Sequence, residues 1–186
     1  PRDRGRGDVG RLFDRLANSG DWLTHDPLDG QIADSDEAVP ALDSMSLALT
    51  HRCNLRCRYC YISLDEHMDT ELTTDEWIET IQQIRPFKLR KVILTGGEPL
   101  LRGDIWDIVA AINAVNAEVV LCTNGMLIDD TFIECASSAK LAAIQIGLDG
   151  ANPATHELLR GADTFEPTWR GIELAQLYGL PVELIC

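Results

Sequence analysis

The sequence predicts an α/β fold built on parallel strands, and three observations carry that prediction. Short apolar strands alternate with amphipathic helices of roughly a dozen residues, the pattern of right-handed βα units. The strands are apolar along nearly their whole length, as expected when both faces of a sheet are covered. Polar or glycine-rich sequence then closes strand after strand: "THRC", "TGGEP", "CTNG" and "GLDG". Such units close into a barrel or lie as an open doubly wound sheet, and in both the working face lies beyond the carboxyl ends of the strands. Four such ends mark one site.

Residues 1–9 are polar and rich in glycine and arginine, the composition of a disordered tail. Leu12, Phe13 and Leu16 fall at helical spacing before Gly20, and "DPLDGQIADSDEAVP" reads as an acidic linker. Residues 1–40 are thus tail, short helix and linker, and the compact part begins near Ala41 and runs to 186. "SLALT" (46–50) is the first strand of that part. In "LTTDEWIETIQQI" (72–84), Thr73 and Glu76 are spaced as a capping box, and Trp77, Ile78, Ile81 and Ile84 form an apolar face. "KVILTGG" (91–97) and "EVVLCTNG" (118–125) are strands, each followed by a helix, at 104–116 and 129–139. "AAIQIGLDG" (142–150) is a fourth strand. Helical sequence follows at "PATHELLRG" and "PTWRGIELAQLYG", and "PVELIC" (181–186) opens a fifth strand. Beginning at Pro1 and stopping there, the sequence reads as part of a longer chain.

A formal net charge of −14 disfavours a nucleic-acid or anionic-membrane partner, whose phosphates would be repelled. The longest apolar stretch falls short of the ~20 residues of a membrane span, and no export signal opens the sequence. The six cysteines are clustered in a chain unlike a disulfide scaffold, which suits a reducing, cytoplasmic setting.

Three of them, Cys53, Cys57 and Cys60, lie in "THRCNLRCRYCYIS". A zinc site would need a fourth ligand, from His51, His67 or a distant cysteine. A redox dithiol would use Cys57 and Cys60 and leave Cys53 without a role. An iron–sulfur cubane held at three corners would keep one iron open to an exogenous ligand. The glycines of "GGEP" (96–99) let backbone carbonyls approach closely, and Glu98 adds a charged acceptor. An ordinary turn punctuated by Pro99 is the plain alternative. Cys122, Cys135 and Cys186 sit in apolar contexts and read as core residues. His25, His67 and His156 read as surface or loop residues. Arg52, Arg56 and Arg58 form a basic collar, with no acid between residues 51 and 61.

The cysteine motif, with Tyr59 as its aromatic, resembles that of the radical S-adenosylmethionine (radical SAM) enzymes. "TGGEP", "TNG" and "GLDG" follow in that family's order over roughly residues 45–186. The resemblance implies a partial barrel, truncated here after the start of the fifth strand. It implies a [4Fe-4S] cluster on Cys53, Cys57 and Cys60, whose open iron binds S-adenosylmethionine. One electron then yields methionine and a 5′-deoxyadenosyl radical that abstracts a substrate hydrogen. By resemblance the cofactor-binding residues are Gly96, Gly97, Glu98, Pro99, Thr123 and Asn124. Many relatives carry serine where this chain has Gly147, which moves weight to Gln145, Asp149 and Arg160. The stretches "CNLRCRYCY" and "TGGEPLLRGDIW" look most like the subgroup that matures peptides, tetrapyrroles and peptide-derived cofactors. Many of its members carry a SPASM extension with auxiliary clusters, which would lie in a C-terminal region beyond Cys186. The implied partner is a peptide or small-molecule substrate; the arginine collar in an otherwise acidic chain adds the expectation of a flavodoxin- or ferredoxin-like electron donor docking there. Tetrapyrrole side-chain chemistry is the nearest alternative activity, and a non-catalytic iron–sulfur or zinc module the alternative of another class.

Overall fold

The computed structural model describes residues 43–62 and 71–186. The elements expected in residues 1–40, and His25 and His67 with them, lie outside the described residues. Among those described, strands and helices alternate: β1 (Ser44–Ala48), α1 (Thr74–Ile84), β2 (Lys91–Thr95), α2 (Ile105–Ala114), β3 (Glu118–Thr123), α3 (Asp130–Ser138), β4 (Leu141–Gly147), α4 (Pro153–Arg160), α5 (Phe165–Leu177) and β5 (Val182–Ile185). None of these helices is long and apolar enough to cross a membrane.

The capping box forms as its spacing predicts. Thr73 Oγ1 accepts from the Glu76 N–H at 3.3 Å, and Glu76 Oε2 accepts from the Thr73 N–H at 2.9 Å. Thr73 is therefore the cap, and α1 starts at Thr74 rather than Leu72. Asp129 caps α3 through the Phe132 N–H, and Asn152 caps α4 through Thr155 N–H with Pro153 at the first helical position. β4 stops at Gly147, short of the predicted Gly150, because the Asp149 N–H turns away to donate to His156 Nδ1 at 3.3 Å.

All five strands are parallel and lie in chain order, β1-β2-β3-β4-β5. Every crossover therefore advances in one direction, which is barrel winding; a doubly wound sheet reverses its order at a switch point. One register row runs Leu47, Leu94, Leu121, Ile144, Val182 across the sheet. Its three central members are fully buried, as are Ile81, Ile108 and Ile112 of the helices. At ~25 cal/mol per Å² of apolar surface removed from water, rows of this kind supply the main driving force for the fold. The other face departs from the expectation that both faces are covered: Ile93, Thr95, Cys122 and Gln145 are only half-buried. There the polar row Cys122, Gln145, Glu183 is bonded side by side, thiol to amide at 3.1 Å and amide to carboxylate at 2.9 Å. The apolar row packs the fold; the polar row belongs to an open interior.

Gly171 of α5 lies against the loop after β3, where an added Cβ would sit 2.3 Å from the Gly125 carbonyl oxygen. Alanine is favoured over glycine inside a helix by about 1 kcal/mol. The clash reverses that sign: Gly171→Ala will lower the urea midpoint, and a raised midpoint contradicts this packing.

Candidate functional site

Residues Thr50–Ile62 leave the carboxyl end of β1 as a loop that carries the cysteines. Three neighbouring segments hold it. The Gly97 N–H donates to Thr50 O at 2.7 Å and the Glu98 N–H to Arg52 O at 2.8 Å. Asn124 Nδ2 donates to Asn54 Oδ1 at 2.7 Å, and the Arg58 N–H to Leu159 O at 2.8 Å. The glycine pair makes the first contact possible: a Cβ on Gly96 would lie 2.4 Å from Thr50 O, and one on Gly97 2.2 Å from Arg52 O. Gly96 also has φ +140°, open to glycine at little cost. The glycines thus serve close approach, of the loop after β2 to the cysteine loop, and they line the cleft as well.

Glu98 does not offer its carboxylate to the cleft. It is wholly buried, and its Oε1 accepts from the Leu100 N–H at 3.1 Å and Thr123 Oγ1 at 2.8 Å. Its Oε2 accepts from the Asn124 N–H at 2.8 Å. Burial pushes the Glu98 carboxyl up, and the donors from Asn124, Leu100 and Thr123 pull it back without cancelling that rise. Pro99, predicted beside it as a cofactor residue, is buried at the start of a 3₁₀ turn, Pro99–Leu101. Thr123 and Asn124 reach the cleft and also serve the turn, accepting from the Gly125 and Met126 N–H groups.

One cleft is lined by Cys53, Cys57 and Cys60, by Gly96 and Gly97, by Thr123 and Asn124, and by Gly147 and Arg160. Burial pushes the Cys53 and Cys57 thiols up. Gln145, predicted as a cofactor residue, lies in the polar row of the sheet with its amide committed to Cys122 and Glu183. The Arg160 side chain, at the end of α4, is only 12% exposed and pairs with Asp149, itself 5% exposed. Burial pushes the Asp149 carboxyl up, but hydrogen bonds from Arg160 and Tyr59 outweigh that and hold it below its ordinary value.

The remaining cysteines and histidine correct the sequence reading. Cys122 is half-buried and lines the cleft, with burial, Glu183 and Glu98 pushing its thiol up to about 11. Cys135 is half-buried rather than a core residue, and Cys186, the last residue of the sequence, is exposed. His156 is fully buried, edge-on to Phe165 with ring centroids 5.7 Å apart. It lies four residues before Arg160 on one helix face, a spacing the sequence already held. Sequence reading also missed Arg102, which is buried, donates to Leu49 O and Leu72 O at 3.1 Å and pairs with Asp104. The collar is partly spent on structure, since Arg56 Nη1 donates to the Cys53 and Leu55 carbonyls and Arg52 faces Glu71 at 3.6 Å.

Comparison with known proteins agrees with this geometry. The Radical SAM superfamily profile matches residues 47–186. The chain is 35% identical over 138 residues to the AdoMet-dependent heme synthase of Methanosarcina barkeri (strain Fusaro / DSM 804), covering 73% of this chain and 40% of that protein. It is 30% identical over 150 residues to the PqqA peptide cyclase of Streptomyces rochei, covering 80% of this chain and 41% of that one. The solved structure of histidine-tagged anSMEcpe with bound AdoMet matches with TM-score 0.65 and 25% identity, over 79% of this chain and 43% of that chain. The chain belongs to the radical SAM superfamily, and it spans less than half the length of these relatives.

Two outcomes follow from the buried groups. Glu98→Gln keeps the volume, but either amide orientation sets an N–H₂ against a backbone N–H, so the protein should lose about 1–3 kcal/mol in a denaturant titration. Unchanged stability would remove Glu98 as a clasp. His156 is held below its ordinary 6.5 by burial and by Arg160. Its contribution is therefore complete above that value and is lost as pH falls through the lowered one. The unfolding midpoint of His156→Gln should vary less with pH than wild type as pH falls below the ordinary 6.5; parallel curves contradict the assignment.

Proposed function

We propose that this chain binds a [4Fe-4S] cluster through Cys53, Cys57 and Cys60, with S-adenosylmethionine beside it, for reductive cleavage and hydrogen abstraction. The convergence of three cysteines, a glycine backbone, Thr123, Asn124 and Arg160 on one cleft carries this reading. The donor set fits the group. Among the described residues no three His, Cys, Asp or Glu side chains are placed to hold a single metal ion. Zinc would need its ligands about 2.0–2.3 Å from one point, whereas a cubane spreads its irons over separate corners. When bound and reduced, the pair supplies methionine and a 5′-deoxyadenosyl radical.

The residues then divide the work. Cys53, Cys57 and Cys60 hold three corners. The Gly96–Gly97 backbone serves the ammonium group, a role Glu98 leaves to it by being committed elsewhere. Arg160, whose Nε and Nη2 face Asp149, keeps Nη1 for the carboxylate. Leu55 and Ile62 supply apolar lining that limits water near a radical. The electron donor is a flavodoxin- or ferredoxin-like protein, supported by the exposed Arg52, Arg56 and Arg58 around the loop.

For the substrate we favour a ribosomally made peptide or a peptide-derived cofactor precursor, supported by the motif resemblance and by likeness to a PqqA peptide cyclase. Likeness to a heme synthase favours a second reading, tetrapyrrole side-chain chemistry. Anaerobic reconstitution of the full-length protein, followed by dithionite and S-adenosylmethionine, should give 5′-deoxyadenosine and methionine. Cys57→Ala should give neither. Absence of both from the wild type overturns the proposal. A precursor peptide should accelerate the release; acceleration by a propionate-bearing tetrapyrrole alone would replace the first substrate reading with the second.

A further inference from the structure

Arg160 closes α4, and contacts outside its helix set its guanidinium. Nε and Nη2 donate to Asp149. The guanidinium carbon lies 5.9 Å from the centroid of the Tyr59 ring. The group rests over Gly147, where a Cβ would sit 2.1 Å from Nη2 and 2.5 Å from Nη1. Gly147 is thus the seat of the arginine: a side chain there would have to expel it.

Tyr59 stands between Cys57 and Cys60, with half its surface exposed. Its place is therefore set by bonding more than by burial. Tyr59 Oη donates to Asp149 Oδ2 at 2.7 Å, and the same oxygen accepts from Arg160 Nε. The Asp149 backbone is fixed in turn by the His156 ring. The cysteine loop meets the end of α4 a second time through the Arg58 N–H and Leu159 O. Tyrosine, aspartate and arginine form a continuous chain from the cysteine loop to the cationic wall of the cleft.

We propose that Tyr59 is a positioning residue that, through Asp149, aims the Arg160 guanidinium over Gly147, coupling the ordering of the cysteine loop to binding of a carboxylate at Arg160. This rests on the cofactor reading above. Coupling of this kind is reciprocal, so an occupied carboxylate site also steadies the loop.

The test is anaerobic calorimetry on the full-length, cluster-loaded protein without reductant. Its probes are S-adenosylmethionine and the decarboxylated analogue that lacks only the carboxylate. Removing one hydrogen bond with Tyr59→Phe should weaken S-adenosylmethionine by about 3- to 10-fold. Affinity for the decarboxylated analogue and iron and sulfide content should stay as in wild type. In an Arg160→Ala background, Tyr59→Phe should add no further loss. Gly147→Ser, although it adds a hydroxyl, should weaken rather than strengthen binding. If Tyr59→Phe fails to retain its cluster, Asp149→Asn leaves the cysteine loop intact and should show the same selective loss. Equal affinities for wild type and variant, or equal losses for both ligands, overturn the inference while the cofactor reading stands. A wild type that binds no S-adenosylmethionine overturns both.

Discussion

The site depends first on one buried carboxylate. Glu98 leaves the end of β2 and turns inward, and its two oxygens gather donors from its own turn and from Thr123 and Asn124 after β3. Its backbone N–H meanwhile donates to Arg52 at the head of the cysteine loop. Three segments that diverge from separate strand ends are thereby held at hydrogen-bond distance. A buried carboxylate without partners would cost several kcal/mol, so any rearrangement that separates these segments exposes that cost. Glycine at 96 and 97 is the geometric counterpart, since neither loop could approach the other past a Cβ.

The two faces of the sheet divide the labour. The row through Leu94, Leu121 and Ile144 is excluded from water and packs the fold. The opposite row, Cys122–Gln145–Glu183, is polar and joined by its own hydrogen bonds. It leads upward to Gly147, and there the arginine enters the cleft. A cationic group set in a largely shielded ion pair keeps its direction better than a surface lysine or arginine would, because the pair is poorly screened and has few alternative rotamers.

Much of this is legible in the sequence. The capping box at Thr73 and Glu76 and the spacing of the cysteines are local patterns, and local patterns survive folding. The alignment of four polar strand ends follows from the βα alternation alone. The role of Glu98 is not legible, because "GGEP" reads as a polar turn and its decisive partner, Asn124, lies on another strand end. Tyr59 and Asp149 are 90 residues apart, beyond any periodicity. Gln145 falls near the strand end in sequence, and nothing local shows that its amide bonds to Cys122 and Glu183 on the neighbouring strands. His156 looks like an exposed helical histidine, yet the phase set by the Asn152 cap turns it inward toward Phe165.

Amide hydrogen exchange in the full-length protein tests the central claim most directly. If the Glu98 clasp holds the strand ends together, the N–H groups of Gly97, Glu98, Leu100 and Asn124 will exchange as slowly as those of β3, for all four are bonded within it. Exchange of these amides at the rate of open loops, with β3 still protected, would contradict the account.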